Sequence, residues 1–223
     1  MNQSFWDPVI LSIQTAAVAG LIVIIAGTLI GRIMARKQFR GKILLETLFL
    51  CPMVLPPTVI GFFLIVIFGK NSPIGKGIEA IFQQSIMFTW WAAVIAATVV
   101  AFPLMYQSAK TGFSDQNQHT EDAARDLGAN EWQVFWYITI PLAFPSLISG
   151  AILSFVRALG EFGATLMFAG NIPGRTQTIP TAIYMAIDAG NMKLAWAWVL
   201  ATMVLSILLL VVSQRIHSRR STW

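Results

Sequence analysis

Five stretches of the chain run for 20 to 23 residues without a single Asp, Glu, Lys or Arg: residues 9–30, 47–68, 85–107, 134–156 and 194–213. About 20 mostly apolar residues suffice for a helix to cross the hydrocarbon core of a bilayer. Each stretch therefore predicts one membrane-spanning helix. A sixth apolar piece, residues 162–170, is too short to span and suits a half-helix or re-entrant segment. The expected fold class is an all-α membrane protein of about five transmembrane helices, with a short helix in the polar loop 108–133. No linker, low-complexity tract, soluble domain or internal repeat interrupts the pattern, so residues 9–213 read as one helical membrane domain.

Charge orients the spans. Arg32, Arg36, Lys37, Arg40 and Lys42 lie between spans 1 and 2, Lys110 and Arg125 follow span 3, and Arg215, Arg219 and Arg220 follow span 5. These ten cations fall on one side; Lys70, Lys76, Arg157, Arg175 and Lys193 fall on the other. The positive-inside bias places the N-terminus outside and the C-terminus in the cytoplasm. Trp6, Trp90, Trp91, Tyr106, Trp132, Trp136, Trp196 and Trp198 are expected as interfacial anchors at span ends. Of all residues 56% are hydrophobic and 11% charged, against about 25% charged in ordinary soluble domains. That excludes a soluble enzyme and a disordered chain. The single cysteine, Cys51, excludes a disulfide scaffold. The cations are membrane-flanking clusters without interleaved aromatics, so the expected surroundings are membrane lipid and no nucleic acid. The first eight residues carry Asp7 and no cation, so no cleavable signal peptide is expected.

The spans hold no ionisable group, whereas ion-driven carriers usually need one in the membrane. Sodium bound by backbone carbonyls at broken helices would be an exception. The sequence offers no catalytic dyad, Walker loop, metal cluster or cofactor motif. His119 and His217 read as surface histidines. A protein of this kind that moves a solute draws its energy from a partner. The rival classes are a secondary carrier or channel and a non-transporting membrane scaffold.

The loop after span 3 is the most structured polar segment. Thr120 suits an N-cap, Glu121 and Asp122 the first turn of a helix, and Gly128 a left-handed C-cap. A second helix can start at Asn130, with Gln133 in the reciprocal capping position. Ala123 and Ala124 let another surface approach closely. This short helix is either a docking element for a partner or an amphipathic helix resting on the membrane.

The run Ala123-Ala124, Gly128, then Ile138-Thr139-Ile140-Pro141 resembles the EAA motif of type I ABC importer permeases. Asp122, preceded by Glu121, stands where that motif usually has Glu, and Ile140 where Leu is common. The resemblance implies a coupling helix seated in a cytoplasmic ATPase, with Glu121, Asp122, Ala123, Ala124, Gly128 and Pro141 as coupling residues. The segments Pro52-Met-Val-Leu-Pro-Pro-Thr-Val-Ile-Gly61, Arg157-Ala-Leu-Gly-Glu-Phe-Gly-Ala-Thr165 and Ala169-Gly-Asn-Ile-Pro-Gly-Arg-Thr-Gln-Thr-Ile-Pro180 are similar to the molybdate permease subfamily. Tungstate, sulfate and thiosulfate permeases are the near alternatives. The resemblance implies a homodimer, two cytoplasmic ATP-binding subunits and a periplasmic oxyanion-binding protein, with no cofactor and no catalytic site in this subunit.

Pro52, Pro56 and Pro57 lie within span 2, where each removes a backbone donor; the span is expected to be broken at a wet path or simply kinked. Pro56, Pro57 and Thr58 are the candidate path residues. Arg157 and Glu161, four apart, share a helix face and form either a structural salt bridge at the outer mouth or a gate. Asn171-Ile-Pro-Gly-Arg175 reads as a turn, leaving Arg175, Thr176 and Thr178 to meet a binding protein, the departing anion or solvent.

Overall fold

The computed structural model describes residues 2–114 and 118–218. Among them every regular element is helical: α1 (Asn2–Arg36), α2 (Lys42–Val54), α3 (Pro57–Phe68), α4 (Pro73–Phe82), α5 (Trp90–Ser114), α6 (Gln118–Asp126), α7 (Glu131–Val134), a π-helical turn (Phe135–Thr139), α8 (Ile140–Leu159), α9 (Gly163–Phe168), α10 (Ile179–Asp188) and α11 (Met192–Ser218). Four helical stretches are long and apolar enough to cross a membrane: Phe5–Arg36, Trp90–Ser114, Glu131–Leu159 and Met192–Val211. The fifth expected span is the pair α2 and α3, bent by 117°.

The bend has a local cause. Leu55 and Pro56 each precede a proline, which drives both out of the helical region, and they adopt ψ of 143° and 137°. Pro57 then opens α3 at a position that needs no N–H donor. Pro52 lies inside α2 without ending it.

The helix directions show that the bent pair traverses the bundle. Trp90 Nε1 donates to Thr15 Oγ1 at 3.0 Å. Further along, a Cβ added to Gly27 would lie 2.7 Å from Met105 Cγ, and one on Gly31 2.7 Å from Ala109 Cβ. Both residue numbers rise together, so α1 and α5 run parallel. The chain must therefore return from one end of the bundle to the other between them, and α2–α3 is the segment that does so. Against α8, Gly112 meets Ser146 and Gly150 meets Ser108, so α5 and α8 are antiparallel. Small residues at these contacts let the backbones approach, as is usual between membrane helices.

α5 is the central helix, buried along most of its length, whereas little of the described part of α11 is buried. α11 starts beside the N-terminal part of α1, where Trp198 Nε1 donates to the Phe5 carbonyl at 3.0 Å and their rings stack. Two of the expected interfacial anchors are corrected here: Tyr106 and Trp198 are 0% and 4% exposed and belong to the core. Trp6, Trp91, Trp132, Trp136 and Trp196 are exposed. Helices α4 and α10 were not foreseen. α4 is capped by Ser72, whose Oγ accepts the Gly75 N–H at 2.8 Å. Arg219 and Arg220, and the side chains of His119, Arg215 and His217, lie outside the described residues.

Candidate coupling site and translocation path

The polar loop after α5 forms a helix–turn–helix held almost wholly by local bonds. α6 ends in a Schellman motif: Ala129 N–H donates to Ala124 O at 3.0 Å and Gly128 N–H to Arg125 O at 2.9 Å. Gly128 sits at φ 89°, a left-handed conformation that glycine adopts without strain. Asn130 then caps α7, its Oδ1 accepting the Gln133 N–H while its own N–H donates to Gln133 Oε1, both at 2.9 Å. The expected Thr120 N-cap is incorrect: α6 starts at Gln118, so Thr120 is its third residue. Glu121 does fall in the first turn.

One face of this unit is open. Asp122, Ala123 and Gly128 are exposed, and Leu127 is 90% exposed. Leu127, Gly128, Gln133 and Tyr137 help to line a cavity of about 360 Å³. Arg125 braces the turn, donating to Asp122 Oδ1 at 2.8 Å and through Nε to Glu131 Oε1 at 2.7 Å. Asp122 thus keeps an exposed carboxylate on the open face.

Glu121 points the other way and is 2% exposed. Its carboxylate pairs with Arg36 at the end of α1 and accepts from Thr139 Oγ1 at 2.9 Å. Arg125 Nη2 approaches its second oxygen at 3.3 Å. Burial by itself pushes the Glu121 carboxyl up. The hydrogen bonds from Arg36 and Thr139 and the charges of Arg36 and Arg125 outweigh that and hold it below the ordinary carboxylate range. Thr139 closes the π turn, in which Ile140 N–H reaches back to Phe135 O. Pro141, next in the chain, lacks the donor that would continue an α ladder into this turn. Arg36 and Thr139 were not singled out by the sequence. Arg36 read as one topological charge among ten, and nothing local signals a partner 85 positions away.

A second cluster lies at the other end of α8. Arg157 Nη1 donates to Glu161 Oε2 at 2.8 Å, and Glu161 Oε1 accepts the Ala164 N–H at 2.8 Å. Glu161 is 2% exposed, so it both pairs with Arg157 and caps the start of α9. The next corner is the break in span 2. A Cβ on Gly163 would lie 2.9 Å from Pro57 Cβ, and one on Gly61 2.8 Å from Met167 Cβ. α9, the short apolar piece, therefore packs along α3. Pro56, Pro57 and Thr58 are exposed at the break. The structure thus brings the break and the Arg157–Glu161 pair to one corner, apart from α6.

The 171–175 segment is a turn, with Arg175 N–H donating to Ile172 O at 3.0 Å and Gly174 at φ 71°. Arg175 is exposed. Thr176 and Thr178 are 1% and 4% exposed, so they hold the fold together rather than present a surface. Among the described residues no group of His, Cys, Asp or Glu could hold a metal.

Residues 27–222 match the model of the family described as binding-protein-dependent transport system inner membrane component. The chain is 64% identical over 211 residues to YvgM of Bacillus subtilis (strain 168), provisionally named a molybdenum transport system permease protein; 95% of this chain and 93% of that one are covered. It is 42% identical over 183 residues to the molybdenum transport system permease protein ModB of Escherichia coli (strain K12), covering 82% and 80%. Identity to the sulfate transport system permease protein CysW of Synechococcus elongatus is 32%, covering 93% and 74%. Among solved structures, the fold is shared with the MetNI methionine ABC transporter in inward-facing conformations, at TM-score 0.73 and 18% identity over 97% of both chains. A bacterial alginate ABC transporter matches at TM-score 0.77 and 13% identity, covering 100% of this chain and 81% of that one.

Proposed function

The chain belongs to the binding-protein-dependent transport system inner membrane component family, and from that premise we propose that it is the membrane subunit of an ATP-driven molybdate importer. It is a multi-pass subunit of an ABC transporter. It works as a homodimer with two cytoplasmic ATP-binding subunits and an external oxyanion-binding protein. ATP is hydrolysed on those partners, and this subunit carries no catalytic site. Molybdate is favoured over sulfate because the relatives named for molybdenum are 64% and 42% identical to this chain, against 32% for the sulfate permease. The N-terminus lies outside and the C-terminus in the cytoplasm in this reading, which the ten-to-five division of cations supports.

The observation that carries the coupling role is the open face of α6. Ala123 and Gly128 present no bulk there, and Leu127 is almost fully exposed. Leu127 and Tyr137, both exposed, line the same cavity, and an apolar patch of this kind suits a surface covered by a partner. ATP binding draws the two ATPases together, and each drags its seated α6. The adjoining spans α5 and α8 follow, and the cavity between the two copies opens outward.

The path itself suits a weakly held dianion. Its candidate corner offers the exposed Thr58 hydroxyl beside the positive end of the α3 dipole, which favours an anion without adding a cation. Arg157 is committed to Glu161. Selectivity then resides mainly in the binding protein, and the oxyanion passes without a tight site that would slow its release. The test is uptake of labelled molybdate, tungstate and sulfate by the full complex in proteoliposomes. Uptake that needs ATP and the loaded binding protein, with molybdate preferred, is expected. Uptake without ATP that follows an imposed proton or sodium gradient would overturn the importer reading.

A further inference from the structure

Glu121 has a chemistry that the seating of α6 does not use. It lies on the coupling helix yet turns its carboxylate away from the open face, into a small cavity of about 200 Å³ shared with Arg36, Arg125 and Thr139. Three separate parts of the chain meet at this one group. Arg36 is the last residue of α1, Thr139 closes the π turn that enters α8, and Glu121 itself belongs to α6. The connections to α5 and α8 along the chain are covalent or nearly so. The connection to α1 is not: it crosses 85 positions of sequence.

The geometry points to Glu121 as a positioning residue that fastens α6 to α1 as well as to α8, so that α1 moves together with the ATPase-driven unit. This rests on the reading of α6 as the ATPase-coupling helix. Three observations support a strut that stays closed through the cycle. The carboxylate is buried, so opening it would strand a desolvated charge, and removal of one partner from such a pair is strongly disfavoured. Charged partners on both oxygens, with a hydroxyl added on one of them, leave little rotational freedom. The π turn sets Thr139 at the junction, and such widened turns recur at functional positions. α1 is one continuous helix from Asn2 to Arg36, so a pull applied at its Arg36 end is passed along it toward the far side of the membrane. Asp122, one residue on, stays exposed and is the acid available to the ATPase.

The test uses the full complex of this subunit, the ATP-binding subunits and the loaded binding protein, in a Cys51→Ser background. Nitroxides are placed at Leu29 on α1, or at Leu153 on α8, both exposed on this subunit. The distance between the two copies is read without nucleotide and in a trapped ATP state. Both sites are expected to shift with the parent sequence. In Glu121→Gln the shift at Leu29 should fall to less than half, while that at Leu153 is retained. Stimulation of ATPase by the loaded binding protein, per assembled complex, should drop about tenfold. Arg36→Gln should do the same, and the double variant should be no worse than either single one. Should Glu121→Gln fail to assemble, Arg36→Gln carries the same test, because Arg36 is an exposed helix end and Glu121 keeps Arg125 and Thr139. Equal shifts at Leu29 and Leu153 in these variants, or additive losses in the double one, would overturn the strut. If neither label shifts in the parent complex, or if Ala123→Trp leaves stimulation intact, the coupling role of α6 fails instead.

Discussion

Replacement of Gly128 isolates the turn between α6 and α7 from everything around it. Its φ of 89° is left-handed, which costs a residue with a Cβ roughly 1–2 kcal/mol. A Cβ built there would meet nothing within 4 Å, so no steric clash adds to that figure. Gly128→Val should therefore shift the turn away from its native form by about 1–2 kcal/mol, roughly 5- to 30-fold in population. If the ATPase seats only on the formed turn, its apparent dissociation constant rises by up to the same factor, the limit reached when the turn is mostly unformed in the variant. Gly128→Asn should stay near the parent value, because Asn tolerates the left-handed region far better than a β-branched residue. The assay is a titration of the purified ATP-binding subunit against the permease in nanodiscs, with uptake measured at limiting and at saturating ATPase. A Val variant rescued by excess ATPase fits the strain argument. Equal losses in Val and Asn would show that bulk at the interface, not backbone strain, sets the affinity. An unchanged Val variant would remove the turn from coupling altogether.

The remaining predictions address packing, topology and pH. Gly31→Ala places a Cβ 2.7 Å from Ala109 Cβ and 3.0 Å from the Lys110 backbone nitrogen; overpacking of this kind costs about 1–3 kcal/mol and should lower the thermal midpoint in detergent, whereas an unchanged midpoint would mean that α1 and α5 are less tightly apposed. Cysteines at Gln38 and Asn71 in a Cys51→Ser background should label from opposite sides of intact cells; labelling of both from outside would contradict a crossing by α2–α3. Glu121 has a depressed pKa in the folded protein, so its contribution to stability is present above the usual carboxyl value of 4.5 and is lost as pH falls below it through the folded pKa. Acid titration of stability should show that limb, and Glu121→Gln should flatten it; an identical acid limb in both proteins would dissociate Glu121 from it.

Local physics was legible in the chain before any fold. The apolar, uncharged stretches mark the spans because the bilayer tolerates nothing else over that length. The Asn130–Gln133 box and the left-handed Gly128 could be read from spacing because their bonds reach no more than five positions. The double proline at 56 and 57 announced a break, since each restricts its own backbone and that of its predecessor. Tertiary structure decided the rest. It made α1 and α5 parallel, and so turned a pair of short helices bent by 117° into a traverse of the bundle. It buried Tyr106 and Trp198, whose amphipathic side chains would serve equally well at an interface. It split two adjacent acids, leaving Asp122 outward and taking Glu121 inward to Arg36. These outcomes depend on which surfaces meet across many tens of residues. A one-dimensional pattern carries hydrophobicity, caps and turns, but not the identity of the partner that a side chain finds when the helices pack.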